Sequence, residues 1–256
     1  MLLAIDVGNT NTVVALYDKE ERKNHWRLAT DRNRTSDEIG IALLQCLGIE
    51  GVQAGQIEDV IISSVVPPMM HALNNAVRRY LHCEPMVIGP GIKTGMNIRY
   101  DNPKEVGADR IVNAVAAVSK YGAPLIVVDF GTATTYCVID QKGDYLGGVI
   151  TAGVKISMDA LFERAAKLPK VEIVRPKHVI GKSTVEAMQA GAVYGQVGQV
   201  DGIVKRLKEE LGRDCRVVAT GGLAQTIAAE SETVDVVDRM LTLDGLKIIY
   251  DKNKTE

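Results

Sequence analysis

The chain alternates short apolar runs, small polar turns and longer stretches with helical spacing, the pattern of an α/β protein. Leu2–Asp6 and Thr12–Tyr17 are apolar runs on either side of a polar turn, which predicts paired strands, with His25–Thr30 as a third strand of the same sheet. Ser36 is placed to cap a helix over Ile39–Leu47. Val60–Val66 (VIISSVV) predicts a strand, and Pro67-Pro68 opens a helix reaching about Leu81. Pro85–Ile88 is a further short strand, Gly89–Asn102 a loop, and Ala108–Lys120 an Ala/Val-rich helix suited to packing on a sheet.

Leu125–Asp140 then repeats the opening. With LAIDVGNTNTVVALYD set against IVVDFGTATTYCVID, Asp6 falls on Asp129, Gly8 on Gly131, and Asn9–Thr12 on Thr132–Thr135. Both copies are strand, Asp-x-Gly, Thr-rich turn and strand, and the apolar flanks match on each side. Two such copies predict duplicated lobes, residues 1–118 and 119–256. In the second half, Tyr145–Ile150 closes the meander, with Gly147-Gly148 marking a bulge. Ile156–Lys167 predicts a helix and Leu168–Ile180 a loop. Ser183 with Glu186 makes a capping box for a helix to roughly Leu211. On that helix Gly191, Gly195, Gly198 and Gly202 share one face, suited to close helix packing. Arg216–Thr220 is a strand running into Gly221-Gly222 and a helix. Val234–Val237 is a last strand, Leu246–Tyr250 a terminal helix, and the polar tail DKNKTE is expected to fray.

Composition narrows the class without sharpening it. With 256 residues there is room for a large core, and the hydrophobic fraction of 46% and charged fraction of 24% are ordinary for a globular protein. A net charge of −2 argues against a nucleic-acid partner. No apolar run reaches the length of a membrane span, and the N-terminus has no basic leader, so a soluble cytoplasmic protein is expected. The cysteines, Cys46, Cys83, Cys137 and Cys215, show no CxxC spacing.

Three glycine-bearing turns end apolar strands: Asp6–Thr12, Asp129–Thr135 and Ala219–Gly222. In an open α/β sheet ligands gather at the carboxyl ends of strands, and small turn residues leave backbone N–H groups free for phosphate. Each turn alone could be plain turn chemistry, but three at equivalent places point to a nucleotide. Gly181-Lys182-Ser183-Thr184 is not a Walker A loop, because the required upstream glycine is Pro176. The four histidines show no metal-ligand spacing. Gly107-Ala108-Asp109-Arg110 opens the Ala-rich helix; Asp109 suits the helix dipole, and it also suits a base that takes a hydroxyl proton during phosphoryl transfer.

Taken in order, DVGNTNT at 6–12, GADR at 107–110, DFGTATT at 129–135 and GKST at 181–184 resemble type III pantothenate kinase. The resemblance implies two duplicated actin-like (ribonuclease H-like) lobes with mixed sheets flanked by helices and an ATP cleft between them. It also implies ATP-dependent phosphorylation of pantothenate, the first step of coenzyme A synthesis. Position by position, it makes Asp6, Val7, Gly8, Asn9, Thr10, Asn11, Thr12 and Val13 the phosphate loop, with Asp6 near Mg2+. Thr132 would contact ATP, Gly221-Gly222 would lie on the adenosine side, and Asp129 would bind a monovalent cation, K+ or NH4+. Asp109 would be the general base. Tyr100, Gly107, Ala108 and Arg110 would surround pantothenate, and Thr184 would reach it across a homodimer interface. Two alternatives stay open: a related kinase acting on another small alcohol such as a sugar, and a non-catalytic relative that uses nucleotide as a switch or regulates transcription.

Overall fold

In the computed structural model, which describes residues 1–254, the first sheet is built around β1 (Leu2–Val7). Every residue of that strand is buried except half-buried Asp6, so it is covered on both faces. It pairs antiparallel with β2 (Asn11–Asp18), which pairs in turn with β3 (Glu21–Ala29). α1 (Ser36–Ile49) follows. It is capped by Thr35 rather than Ser36, because only Thr35 has a glutamate three residues on, Glu38, to complete a reciprocal box. β4 (Asp59–Ser64) returns parallel to β1. The expected Pro-led helix runs as a 3-10 turn at Pro67–Met69, α2 (Met70–Ala76) and a wider turn to Leu81. β5 (Pro85–Val87) completes a sheet of order β3-β2-β1-β4-β5.

Leu3, Ile5 and Val7 with Val60 and Ile62 face α1 and α2 in one apolar core. Asp6 points to the opposite face. There Tyr17 and Arg22 both donate to Asp244 of the C-terminal helix.

α3 (Ala108–Tyr121) leads into β6 (Leu125–Phe130) and β7 (Ala133–Ile139). β6 has the same burial order as β1, with half-buried Asp129 where β1 has Asp6. β8 (Tyr145–Ala152) pairs with β7 through a register slip at Val138/Ile139, opposite Tyr145 and Gly147, so the predicted bulge is present. α4 (Val154–Arg164) starts two residues before the expected Ile156 because Gly153 is its extended N-cap. α5 (Thr184–Leu211) runs as expected, but only half of its capping box is reciprocal. Glu186 N–H donates to Ser183 Oγ, while the Glu186 carboxylate accepts from Lys182 N–H. β9 (Arg216–Gly221), α6 (Ala224–Ala228) and β10 (Val236–Val237) follow, and the second sheet has the order β10-β9-β6-β7-β8. Taken from the opposite edge, that is the first sheet's connectivity repeated. α7 (Leu241–Asn253) includes the first residues of the polar tail in its last turn; Thr255 and Glu256 lie outside the described residues.

Contacts divide the chain into two units. The first holds residues 1–95 and 102–116 and the chain from Thr242, so α7 packs with the first sheet. The second holds 96–101 and 117–241. Among the described residues, no helix is long and apolar enough to cross a membrane.

Candidate functional site

In the first unit, β1 ends in a four-residue connection closed by a hydrogen bond from Gly8 N–H to Asn11 C=O at 3.0 Å. Thr30, just past β3, holds this turn from outside. Its N–H donates to Thr10 C=O at 3.0 Å, its hydroxyl to Gly8 C=O at 2.8 Å, and the same hydroxyl lies 2.9 Å from Thr12 Oγ1. Arg32 donates to Asn9 Oδ1 at 3.1 Å. Asn9 and Thr10 are exposed at the tip, so the turn presents small polar residues at the carboxyl end of the sheet's central strand.

The second unit repeats the arrangement with one residue fewer. β1 and β2 pair Asp6 with Val13, whereas β6 and β7 pair Asp129 with Thr135. Thr12 therefore corresponds to Thr134, and the ungapped match of Asn9–Thr12 to Thr132–Thr135 fails beyond the glycine. The shorter turn closes from Gly131 N–H to Ala133 C=O at 3.1 Å. α4 starts against it: Gly153 N–H donates to Thr132 C=O at 3.1 Å, and a side chain at Gly153 would strike the Gly131 and Thr132 carbonyls. Gly153 carries no signal in the sequence beyond preceding a helix. Gly221 closes the other side of Asp129. It adopts φ +94°, and a Cβ there would sit 2.6 Å from Asp129 Oδ1.

GADR lies in the first unit. Val65 N–H donates to Val7 C=O at 3.1 Å, and the Val65 side chain is the surface beside Gly107. The mouth of α3 thus adjoins the end of the strand that carries Asp6. Asp109 is half-buried in the first turn of α3 and accepts from Arg110 N–H at 2.8 Å. Burial pushes its carboxyl above the ordinary carboxylate value, against the opposing hydrogen bond and the charge of Arg110. A raised pKa makes a carboxylate a better proton acceptor. A Cβ at Gly107 would lie 2.5 Å from Asp109 Oδ1, so the glycine makes room for this rotamer. Gly107→Ala is expected to displace the carboxylate and lower kcat by about 10- to 100-fold. Turnover within about twofold of wild type would show that this rotamer is not required.

The remaining sequence-selected residues belong to the second unit. Tyr100 lies beside Gly147, its ring 6.4 Å from that of Tyr145, on a segment bridged to β8 through Arg99 N–H and Tyr145 C=O. Thr132 is half-buried in the second turn, and Thr184 is exposed at the start of α5. The glycine face of α5 is open within the chain. Gly191, Gly195 and Gly198 are exposed, and a Cβ on any of them would meet nothing within 4 Å. Among the described residues no element packs closely there, because α5 buries its other side through Met188, Val193, Val200 and Val204.

The family described as type III pantothenate kinase matches residues 2–206. A type III pantothenate kinase of Halalkalibacterium halodurans is 57% identical over 99% of this chain and all of its own length. One from a Geobacillus species is 57% identical over 99% of this chain and 98% of its own. Among solved structures, a putative 2-dehydro-3-deoxygalactonokinase from Sinorhizobium meliloti superposes with a TM-score of 0.63 at 11% identity, covering 100% of this chain and 98% of its own. A putative Baf family transcriptional activator from Campylobacter jejuni gives 0.60 at 20% identity, over 98% of each chain. ROK hexokinase from Thermus thermophilus gives 0.54 at 12% identity, over 99% of each. At such identities these structures establish the fold, which is that of the actin-like sugar kinases: two lobes, each a mixed sheet flanked by helices.

Proposed function

This chain belongs to the type III pantothenate kinase family, and on that premise we propose that it transfers the γ-phosphoryl group of ATP to the primary hydroxyl of pantothenate, with Asp109 as base. The product, 4′-phosphopantothenate, begins coenzyme A biosynthesis. The observation that carries the assignment of the base is the Asp109 carboxylate, desolvated, fitted against Gly107 and set beside the strand end that bears Asp6.

Asp109 accepts the hydroxyl proton as the pantothenate oxygen bonds to phosphorus and the bond to the ADP oxygen breaks. A loose transition state asks the protein for positioning and charge compensation more than for base strength. Asp6 to Val13 hold the phosphates through turn N–H groups. Gly107, Ala108 and Arg110 surround pantothenate, with the buried Arg110 guanidinium as an anion partner. Thr132 is assigned to ATP, and Tyr100 and Thr184 to pantothenate, on the family resemblance alone.

Two ions belong to the reading. Magnesium is held by one or two carboxylates and keeps several waters, which the single half-buried carboxylate of Asp6 suits; bound there, it neutralises charge on the phosphates. Asp129 suits a monovalent cation, K+ or NH4+, because Gly221 leaves open beside Oδ1 the space a Cβ would fill; the ion balances the carboxylate so that the turn can face polyphosphate. We further propose a homodimer formed through α5. The open Gly191–Gly198 face and the exposed Val179, Ile180 and Val185 beside the helix start favour it.

The test is ADP release coupled to an indicator, with pantothenate against a panel of sugars, with and without potassium. ADP formed only with pantothenate is the expected result. ADP formed only with a sugar would make the chain a kinase of another alcohol, and no ADP with any acceptor would favour a non-catalytic role.

A further inference from the structure

Ser63 lies near the end of β4 and is fully buried, yet its Oγ has no hydrogen-bond partner. Its neighbours are satisfied: Ser64 Oγ accepts from Val66 N–H at 3.1 Å, and Val65 N–H reaches Val7 C=O. The unmet hydroxyl is therefore local to one position. β1 and β4 run parallel with Asp6 in register with Ser63, and in-register side chains of adjacent strands point to the same face. Val60 and Ile62 face the core under α1 and α2, so Ser63 shares the other face with Asp6.

The second sheet repeats this pairing. β6 and β9 set Asp129 in register with Thr220, which is 2% exposed. Each lobe thus places a buried hydroxyl one strand away from its carboxylate. Alanine at Ser63 would fill the position without burying a polar atom, and a buried donor that makes no bond costs stability. The duplicated placement ties the hydroxyl to the carboxylate beside it and not to the packing of either core.

We propose that Ser63 is a positioning residue for Asp6: its hydroxyl, unmet in the ligand-free protein, turns to donate to the Asp6 carboxylate when Mg·ATP binds, and so fixes the rotamer that faces the magnesium ion. This rests on the reading of Asp6 as the magnesium-side carboxylate. Hydrogen bonds from behind a metal-binding carboxylate set its direction, and losing one weakens metal affinity by about 10- to 100-fold.

The test compares Ser63→Ala, Ser63→Cys and Asp6→Asn by calorimetric ATP binding with and without magnesium, by magnesium titration of turnover, and by melting of the ligand-free protein. Ser63→Ala is expected to weaken Mg·ATP binding and raise the half-saturating magnesium concentration by about tenfold. Binding of magnesium-free ATP should stay within about twofold of wild type, and the KM for pantothenate likewise. Ser63→Cys, similar in size but a weak donor, should behave as Ser63→Ala does. The Tm of the ligand-free Ser63→Ala protein should equal or exceed that of wild type, because an unmet buried donor is gone. A lowered Tm with unchanged Mg·ATP affinity would assign Ser63 to packing and overturn the proposal. If Asp6→Asn loses magnesium affinity and Ser63→Ala does not, the proposal falls while the reading of Asp6 stands. If Asp6→Asn keeps wild-type magnesium affinity, both fall.

Discussion

Asp109→Asn is expected to lower kcat by about 10³-fold while leaving the Kd of ATP within about threefold of wild type. The amide keeps the shape of the side chain and can still accept from Arg110 N–H, but it cannot take the hydroxyl proton. The environment of Asp109 adds two readouts. Burial raises its pKa above the ordinary carboxylate value, so kcat/KM in wild type should fall on acidification through that raised pKa, and the fall should vanish in Asp109→Asn. The stability sign follows by linkage. A carboxyl whose folded pKa is raised binds its proton more tightly when folded, so what it contributes is present at acid pH and lost as pH rises through the folded pKa. At neutral pH the wild type holds a desolvated charge that the variant lacks. The variant should therefore melt higher at neutral pH, with the gap closing as pH falls. Near-wild-type turnover in Asp109→Asn would remove Asp109 from the mechanism, and a lower Tm at neutral pH would contradict its desolvation.

Asp129→Ala should abolish activation by potassium and ammonium, leaving the variant near the rate that wild type shows without either ion. Asp129 is held between Gly221, whose absent Cβ leaves space at Oδ1, and a turn braced by Gly153 at the start of α4. Removing the carboxylate would remove the charge proposed to select a cation there, without touching the first lobe's turn. A variant that still speeds up with potassium would move the cation site elsewhere. Gly221→Ala gives an independent check on the same pocket: its Cβ would intrude on Oδ1 and the residue would be strained at φ +94°, so potassium affinity should fall together with stability.

Much of the fold was legible because its signals are local. β1 and β6 are unbroken apolar runs interrupted by one aspartate, and that interruption survives as the only half-buried position in each strand's interior. The glycine after each aspartate, the Pro-led turn after β4 and the Ser183 cap of α5 are likewise written within a few residues. Local reading failed where two local signals competed or where a partner was distant. Thr35 displaced Ser36 as a cap because Glu38 stands three residues after it and not after Ser36. The glycine face of α5 is turned outward within the chain, because an apolar stripe and a bare stripe look equally suited to burial in the core until the rest of that core is placed.

The sequence by itself determined the duplicated strand–turn–strand units, the order of the motifs and, through them, the family. Each of these depends on residue type at short, constant spacing, and the chain holds that spacing whatever its tertiary arrangement. Tertiary structure decided what spacing cannot encode. It shortened the second turn by one residue through strand register, returned α7 to the first unit, and brought Val65 beside Gly107 so that the mouth of α3 adjoins the end of β1. It also desolvated Asp109 and buried Ser63 in register with Asp6. Desolvation and register arise from contacts between residues far apart in the chain, and these set how a carboxylate named by its motif can act.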